Sequence, residues 1–364
     1  MRCLGLGILL TTVAPQLLAA PVQPPEQALS QCFDQQSQKM PFSGIVVASN
    51  GQSRFERVAG FTDAAGSHPP AADVPFRLAS VQKVLTGVAI GQLADLGKVS
   101  LDAPVGTYLD GLPADVAKVT IDQLLHHQAG VASLTMLNPQ IARTLAAAKT
   151  ARDLVPLVAS QPLAFPPGTK TEYSNGGYYL LGAVIEAVSG QSYGNYLQTN
   201  IFSPLHMASS GLVASDATAA RFTKMSPMGA LPAPRVMTGG PDFPATAAGD
   251  GVSSANDMLL LGRALIGDGL ISKAVKQRIF PQRSGPWRIG QSGGSIGENT
   301  DFAVFPDSGW VTIVLSNYDP PAGELMGEVL RKMVTEGTCR PLGAEDRASP
   351  FQLILKPPPG ASHS

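Results

Sequence analysis

The segments that favour β-structure lie at the two ends of the chain, and a long helix-forming region separates them. Near the N-terminus, two strand-like runs (43–49 and 54–60) flank Asn50-Gly51, a dipeptide typical of hairpin turns. Three further runs come late in the chain, at 287–293, 302–306 and 310–316. Strands this far apart in sequence share one sheet only if the two ends of the chain meet. The sequence therefore predicts a five-stranded antiparallel sheet built from both ends, with the intervening region as a second lobe.

The predicted fold class is α/β (α+β), with a sheet lobe formed by residues 24–78 and 250–340 and a mostly helical lobe at 79–249. Helical periodicity or helix-ending residues mark the following segments: 24–40, 81–97, 119–127, 177–190, 256–267 and 323–337. We expect the first and last of these helices to cover the sheet. Residues 207–249 are rich in Ala, Gly, Pro, Ser and Thr, which predicts an irregular excursion, and 341–364 are expected to form a flexible tail.

The first 20 residues predict a signal peptide. A positive start precedes an apolar stretch (4–20) that ends in small residues. The modest length of that stretch and its internal proline disfavour a permanent membrane anchor. Removing it leaves Cys32 and Cys339, for which an oxidising compartment favours a disulfide, with two separate buried thiols as the alternative. We therefore expect a periplasmic or secreted protein.

Composition excludes several classes of protein. A hydrophobic content of 44% and a charged content of 15% indicate a globular chain with a sizeable core. The net charge of -1, without any Lys/Arg run, gives no basis for nucleic-acid binding. His126 and His127 are adjacent, so they point about 100° apart on a helix, and no metal-binding spacing occurs. We expect neither a metal nor an organic cofactor, and the oligomeric state stays open.

Ser80 and Lys83 form the only Ser-x-x-Lys pattern in the chain. Positions i and i+3 share a helix face, so the two side chains would lie within reach of each other. Ser80 also falls at a predicted helix start, where free backbone N–H groups favour a developing oxyanion. A serine hydroxyl needs a base, and a lysine acts as one only where burial or a nearby cation favours its neutral form. The short pattern alone equally describes a solvated surface pair.

Longer segments around this pattern resemble the penicillin-recognising serine hydrolases, which include serine β-lactamases, D-alanyl-D-alanine carboxypeptidases, D-aminopeptidases and esterases. The segments that carry the resemblance are 76–109, 119–131, 165–207 and 249–265. The resemblance implies a β-lactamase/transpeptidase-like fold with Ser80 as the nucleophile. It also implies that Lys83 and Tyr173 move the proton, and that Asn175, from the motif Tyr173-Ser174-Asn175, contacts the lysine and the substrate. His127 matches a position that we interpret as a wall of the site.

The third motif departs from that family. Where relatives carry Lys or His, a small residue and Gly, this chain has Gln291, Ser292 and Gly293, followed by Gly294. A glutamine cannot supply the positive charge that binds a substrate carboxylate. We therefore expect this stretch to bind an ester or amide that lacks a carboxylate. The resemblance places the oxyanion on the backbone N–H groups of Ser80 and Gly294, which the change to glutamine leaves in place.

Two alternatives use the same residues. The run Gly293-Gly294-Ser295-Ile296-Gly297 matches the nucleophile elbow of α/β-hydrolases, but a strand-like segment follows it, and the sole downstream histidine is His363 in the tail. The second alternative is a binding or sensing module in which Gln291 marks lost activity. Because Ser80 and its partner residues remain, the sequence favours an exported serine hydrolase. We expect it to cleave a small-molecule or peptide ester or amide through an acyl-serine intermediate.

Overall fold

The computed structural model describes Pro24 and residues 26–39, 42–63, 66–134, 138–212, 220–226, 229–238, 246–249 and 251–341. The predicted signal peptide (1–20) and residues 342–364 of the predicted tail lie outside these ranges. Within them, every helix is too short or too polar to span a lipid bilayer.

Strands and helices come in groups along the described ranges. The strands are Gly44–Ser49 (β1), Arg54–Ala59 (β2), Phe76–Arg77 (β3), Ala220–Ser226 (β4), Gly229–Thr238 (β5), Val252–Ser253 (β6), Ile289–Ser295 (β7), Glu298–Phe305 (β8) and Trp310–Ser316 (β9). The α-helices are Glu26–Ser37 (α1), Gln82–Asp95 (α2), Ile121–Leu125 (α3), Pro139–Ala147 (α4), Val155–Ala159 (α5), Asn175–Ser189 (α6), Tyr193–Leu197 (α7), Ala255–Ile266 (α8), Lys273–Ile279 (α9) and Ala322–Glu336 (α10). Short 3₁₀ turns lie at Ala79–Val81, Val105–Thr107, Val116–Lys118 and Ala151–Leu154, and a π-helical turn at Gln198–Phe202.

The main sheet has five antiparallel strands in the order β2-β1-β9-β8-β7, which confirms the predicted sheet. The central strands β1 and β9 are buried on both faces. Alternation along β1 sends Ile45 and Val47 into the larger core beneath the helical lobe, whereas Val46 and Ala48 face a second core. Both faces are therefore covered at β1 and β9, so these two strands are largely apolar on both sides.

Helices α1 and α10 pack together over one face of the sheet, as the sequence predicted. Helix α8 lies against β8 and β9 on the other face, next to the helical lobe. Cys32 in α1 and Cys339, three residues beyond Glu336 at the end of α10, form a disulfide with Cα atoms 5.6 Å apart. This bond joins the first and last described elements of the sheet lobe.

Residues 207–249 differ from the prediction of an irregular segment. Strands β4 and β5 pair within this region as a separate two-stranded antiparallel sheet, with a register shift between Thr223 and Met225. Strand β5 contains Pro232 and Pro234. Proline is ordinarily a strand breaker, but an edge strand tolerates it because one side of the strand donates no ladder hydrogen bonds. The sequence prediction treated these prolines as signs of irregular structure, and for this sheet it was wrong.

Strand β8 also begins earlier than predicted, at Glu298 instead of residue 302. Gly297 adopts a left-handed φ of 74° and closes a two-residue turn between β7 and β8. The polar residues Asn299, Thr300 and Asp301 concealed the start of the strand, although all three are buried. The glycine run at 293–297 is thus a strand end and a hairpin turn, not an elbow leading into a helix.

We expect the double variant Cys32→Ser/Cys339→Ser to lose about 2–4 kcal/mol in free energy of unfolding, because the cross-link reduces the entropy of the unfolded chain. Urea unfolding of the oxidised protein and of the variant measures the difference. Dithiothreitol should lower the midpoint of the wild type and leave that of the variant unchanged. A wild-type midpoint that reductant does not move would contradict the disulfide.

Candidate active site

Ser80 lies in a tight turn between the short strand β3 and helix α2. The preceding residue, Ala79, has a left-handed φ of 43° although it is not glycine, and its side chain is buried. Such a conformation is costly and persists only where the surroundings fix it. The turn is fixed on both sides, because the N–H of Leu78 donates to the carbonyl of Gly251 at 2.7 Å and the N–H of Val81 donates to that of Leu78 at 3.0 Å.

Lys83 is 2% exposed because α2 is buried on nearly all sides between the two lobes. Its Nζ donates to Asn175 Oδ1 at 2.9 Å and to the carbonyl oxygen of Ala248. It also lies 3.2 Å from Ser80 Oγ. Carbonyl oxygens only accept, so two N–H bonds of Lys83 are committed to them. The remaining direction points to Ser80 Oγ, as an N–H in the ammonium form and as a lone pair in the amine form.

Tyr173 approaches the same hydroxyl from the helical lobe, and its OH lies 2.6 Å from Ser80 Oγ. The following residue, Ser174, caps helix α6 by accepting the N–H of Gly177 at 3.0 Å, and its Oγ donates to the carbonyl of Ala132 at 3.0 Å. Helix α6 begins at Asn175, the residue that binds Lys83. The capped start of this helix therefore places Tyr173 beside Ser80 and Asn175 beside Lys83.

His127 supports Tyr173 from behind. The backbone N–H of Ser174 donates to His127 Nδ1 at 3.2 Å, and the imidazole and Tyr173 ring centroids are 4.7 Å apart. Burial lowers the pKa of His127 to about 4, and the positive charge of Lys83 adds to this effect. The imidazole is therefore neutral at pH 7, which leaves Nδ1 free to accept. The structure places His127 at the wall of the site, where the sequence analysis expected it.

The third motif forms β7, the edge strand beside Ser80. A Cβ atom on Gly293 would lie 2.6 Å from Ser80 N and 2.8 Å from the carbonyl oxygen of Leu78, so only glycine allows the strand to approach the serine backbone. Gln291 lies two residues before Gly293 in β7, so the two residues share one face of the strand. The change from Lys to Gln therefore falls on the side of the sheet that carries the nucleophile.

Ser292 points the other way. Ser292 Oγ donates to Asp301 Oδ2 at 2.7 Å, and Asp301 also contacts Arg331 from helix α10. Arg288 lies just before β7, three positions from Gln291, and β7 pairs with β8 without a register shift. Alternation along the strand therefore predicts that Arg288 and Gln291 lie on opposite faces.

The structure thus brings the predicted residues Ser80, Lys83, Tyr173 and Asn175 into hydrogen-bond contact and sets Gly293 against the serine. Sequence reasoning missed the Ala248 carbonyl, because a backbone acceptor leaves no residue-type signal. It also missed Tyr178, whose ring centroid lies 5.3 Å from Lys83 Nζ. In the described ranges, no group of three or more His, Cys, Asp or Glu side chains could hold a metal ion.

Comparison with known proteins agrees with this geometry. Residues 29–331 match the family model described as beta-lactamase. Esterase EstB of Burkholderia gladioli is 30% identical over 203 residues, covering 52% of this chain and 52% of the esterase. The chain thus spans about half the length of that relative, and a smaller share of others.

Two solved structures share the fold. A penicillin binding protein from Bacillus halodurans superposes with a TM-score of 0.70 at 24% identity, covering 83% of this chain and 99% of that one. A D-stereospecific amidohydrolase from Streptomyces sp. gives a TM-score of 0.70 at 24% identity, covering 86% and 100%. Because the family model spans most of the sequence and the fold agrees, the chain belongs to the beta-lactamase family of serine hydrolases.

Proposed function

We propose that this protein hydrolyses an ester or amide through a covalent acyl intermediate on Ser80. The observation that carries the proposal is the position of Ser80 Oγ, 2.6 Å from the Tyr173 hydroxyl and 3.2 Å from Lys83 Nζ. A serine needs a group that accepts its proton during attack, and two candidates lie within range. The contact with Lys83 is not that of a solvated surface pair, because Lys83 is buried, whereas Tyr173 is 42% exposed.

The reaction follows from these contacts. Ser80 Oγ attacks the substrate carbonyl carbon while its proton passes to the pair formed by Tyr173 and Lys83. The negative charge that develops on the carbonyl oxygen is bound by the backbone N–H groups of Ser80 and Gly294. Tyr173 then gives the proton to the leaving alcohol or amine as the carbon–heteroatom bond breaks. Water, deprotonated by the same pair, attacks the acyl-enzyme and releases the acid and free Ser80.

The substrate we propose lacks a carboxylate next to the scissile bond. Gln291 is neutral and lies on the nucleophile's face of β7, and alternation along the strand places Arg288 on the opposite face. A substrate carboxylate beside Gln291 would meet a neutral amide donor instead of a charged one, which binds it less strongly. The similarity to an esterase is consistent with this class, as is the likeness in fold to an amidohydrolase.

We also propose that the protein acts in the periplasm or outside the cell. The apolar N-terminal segment supports export, and the Cys32–Cys339 disulfide supports an oxidising compartment.

We expect Ser80→Ala, Lys83→Ala and Tyr173→Phe each to lower ester turnover by about a hundredfold or more, because each removes the nucleophile or a group that moves its proton. Release of p-nitrophenol from short acyl esters is the measurement. Ser100→Ala and Lys98→Ala, exposed positions beyond the end of α2, are the matched controls and should keep wild-type rates.

A fluorophosphonate probe should label wild type at Ser80 and leave Ser80→Ala unlabelled. Full turnover by purified Ser80→Ala would refute the assignment. Reversible ligand binding that Ser80→Ala does not alter, without any turnover, would instead indicate a binding or sensing module.

We expect Gln291→Lys to raise kcat/KM for a carboxylate-bearing substrate, such as a chromogenic cephalosporin, roughly tenfold relative to that for a neutral p-nitrophenyl ester, because a charged hydrogen bond replaces a neutral one. Gln291→Met is the control, since it changes the side chain without adding charge. If the lysine variant leaves that ratio where the methionine variant leaves it, Gln291 does not determine carboxylate selectivity.

The lowered pKa of His127 predicts a loss of stability in acid. Between pH 6.5 and about 4 the unfolded chain protonates this imidazole and the folded protein does not, so acidification favours unfolding by at most about 3 kcal/mol. His127→Asn stays neutral, tolerates the left-handed φ of 58° and retains an acceptor for Ser174. Urea unfolding at pH 7 and pH 4 should show a smaller pH effect in the variant. Equal pH effects in the two proteins would contradict the assignment.

A further inference from the structure

Asn299 is a buried amide that the reaction scheme leaves unused. It lies at the start of β8, opposite Gly294, and is 1% exposed. Its Nδ2 donates to the carbonyl oxygen of Gly293 at 2.7 Å, and its Oδ1 accepts the backbone N–H of Glu324 at 2.8 Å. These partners fix the orientation of the amide, because a carbonyl oxygen accepts only and a backbone N–H donates only.

The hydrogen bond from Asn299 is made to the Gly293–Gly294 peptide, which also contains the N–H proposed to bind the oxyanion. The carbonyl of Gly293 and the N–H of Gly294 belong to the same planar, trans peptide, so they point in opposite directions. Because the carbonyl turns toward Asn299 on β8, the N–H of Gly294 points away from β8, toward the open edge of the sheet. Gly293 itself packs against Ser80 N, on the nucleophile's face of the strand. The amide therefore sets the direction of one of the two N–H groups that would bind the oxyanion.

The opposite end of the amide is attached to helix α10. Pro321, the residue before that helix, makes no side-chain capping hydrogen bond. Asn299 Oδ1 supplies the missing acceptor to the N–H of Glu324, the third residue of the helix. A Cβ on Gly323 would lie 2.1 Å from the Asn299 backbone oxygen, so the helix start is pressed directly onto β8.

These contacts form a directed chain of hydrogen bonds. The N–H of Glu324 donates to the Asn299 oxygen, and the Asn299 N–H donates to the Gly293 oxygen. The Gly294 N–H belongs to the same peptide as that oxygen and points away from β8. Each donor polarises the next group in the same sense, which strengthens the final N–H as a donor. The positive end of the α10 helix dipole lies at the first donor of this hydrogen-bond series, the N–H of Glu324.

We propose that Asn299 is a positioning residue that couples the start of helix α10 to the oxyanion site by orienting and polarising the Gly293–Gly294 peptide. The inference deepens the proposed function and rests on it. Asn299 does not touch the substrate. It acts through the Gly294 N–H, so its effect is larger on the transition state than on substrate binding.

Two variants of Asn299 separate its effect on the orientation of the Gly293–Gly294 peptide from its capping of helix α10. Asn299→Ala removes both contacts. Asn299→Asp keeps an oxygen for the Glu324 N–H but sets a second oxygen against the Gly293 carbonyl, where the donor is lost. For both we expect kcat for a p-nitrophenyl ester to fall about tenfold, with KM within about twofold; this is less than the 10²–10³-fold that losing a direct oxyanion donor costs. The inhibition constant of phenylboronic acid, which forms a tetrahedral adduct on an active-site serine, should rise by the same factor as kcat falls.

The control is Ser272→Ala, which removes a capping hydroxyl from helix α9, where Ser272 Oγ accepts the Val275 N–H at 3.4 Å. It should lower the thermal midpoint and leave kcat and the phenylboronic acid constant unchanged. A folded Asn299→Asp with kcat within twofold of wild type would overturn the inference, and so would a loss of kcat without the matching loss of boronic acid affinity. If Ser80→Ala is inactive in the same assay, either result overturns this inference alone; an active Ser80→Ala overturns the proposed function.

Discussion

The site depends on the burial of one amine between two carbonyl oxygens. The Lys83 side chain is buried in the helix between the two lobes. The Asn175 side-chain oxygen and the Ala248 backbone oxygen each accept one hydrogen bond from its Nζ. A buried ammonium or amine is costly unless its hydrogen bonds are made, so these acceptors make the position tenable. They also leave one direction open, toward Ser80. The geometry of the nucleophile is therefore set by how Lys83 satisfies its hydrogen bonds.

The rest of the architecture brings three distant parts of the chain to that serine. The 3₁₀ turn at Ala79–Val81 carries Ser80, and helix α2 carries Lys83. The capped start of α6 brings Tyr173 and Asn175, and β7 supplies the bare backbone of Gly293 and Gly294. Strand β7 reaches the serine only because the sheet closes from both ends of the chain, with β1 paired to β9. The polar network behind β7 then holds the strand from the opposite side, through Ser292 with Asp301 and through Asn299.

The main sheet and the nucleophile with its neighbouring lysine could be predicted from the sequence, because each leaves a pattern of residue types or spacing. The five-stranded sheet follows from apolar runs at both ends of the chain, and the proximity of Ser80 to Lys83 follows from helical spacing. Tyr173 and Asn175 came only from resemblance, since no spacing rule relates them to Ser80. The strands β4 and β5 were missed because their prolines resemble loop residues. The start of β8 was missed because Asn299, Thr300 and Asp301 are polar yet buried, each with a partner that only the folded chain supplies.

Acylation of Ser80 can be observed by acid quenching of the wild type during turnover of a slow ester, followed by mass spectrometry of the intact protein and its peptides. We expect a mass increase equal to the acyl group minus one hydrogen, located on the peptide that contains Ser80, which appears before the steady state and disappears when substrate is exhausted. Steady turnover with no acylated peptide under conditions that trap acyl-serine, or an acyl group on a different residue, would contradict it.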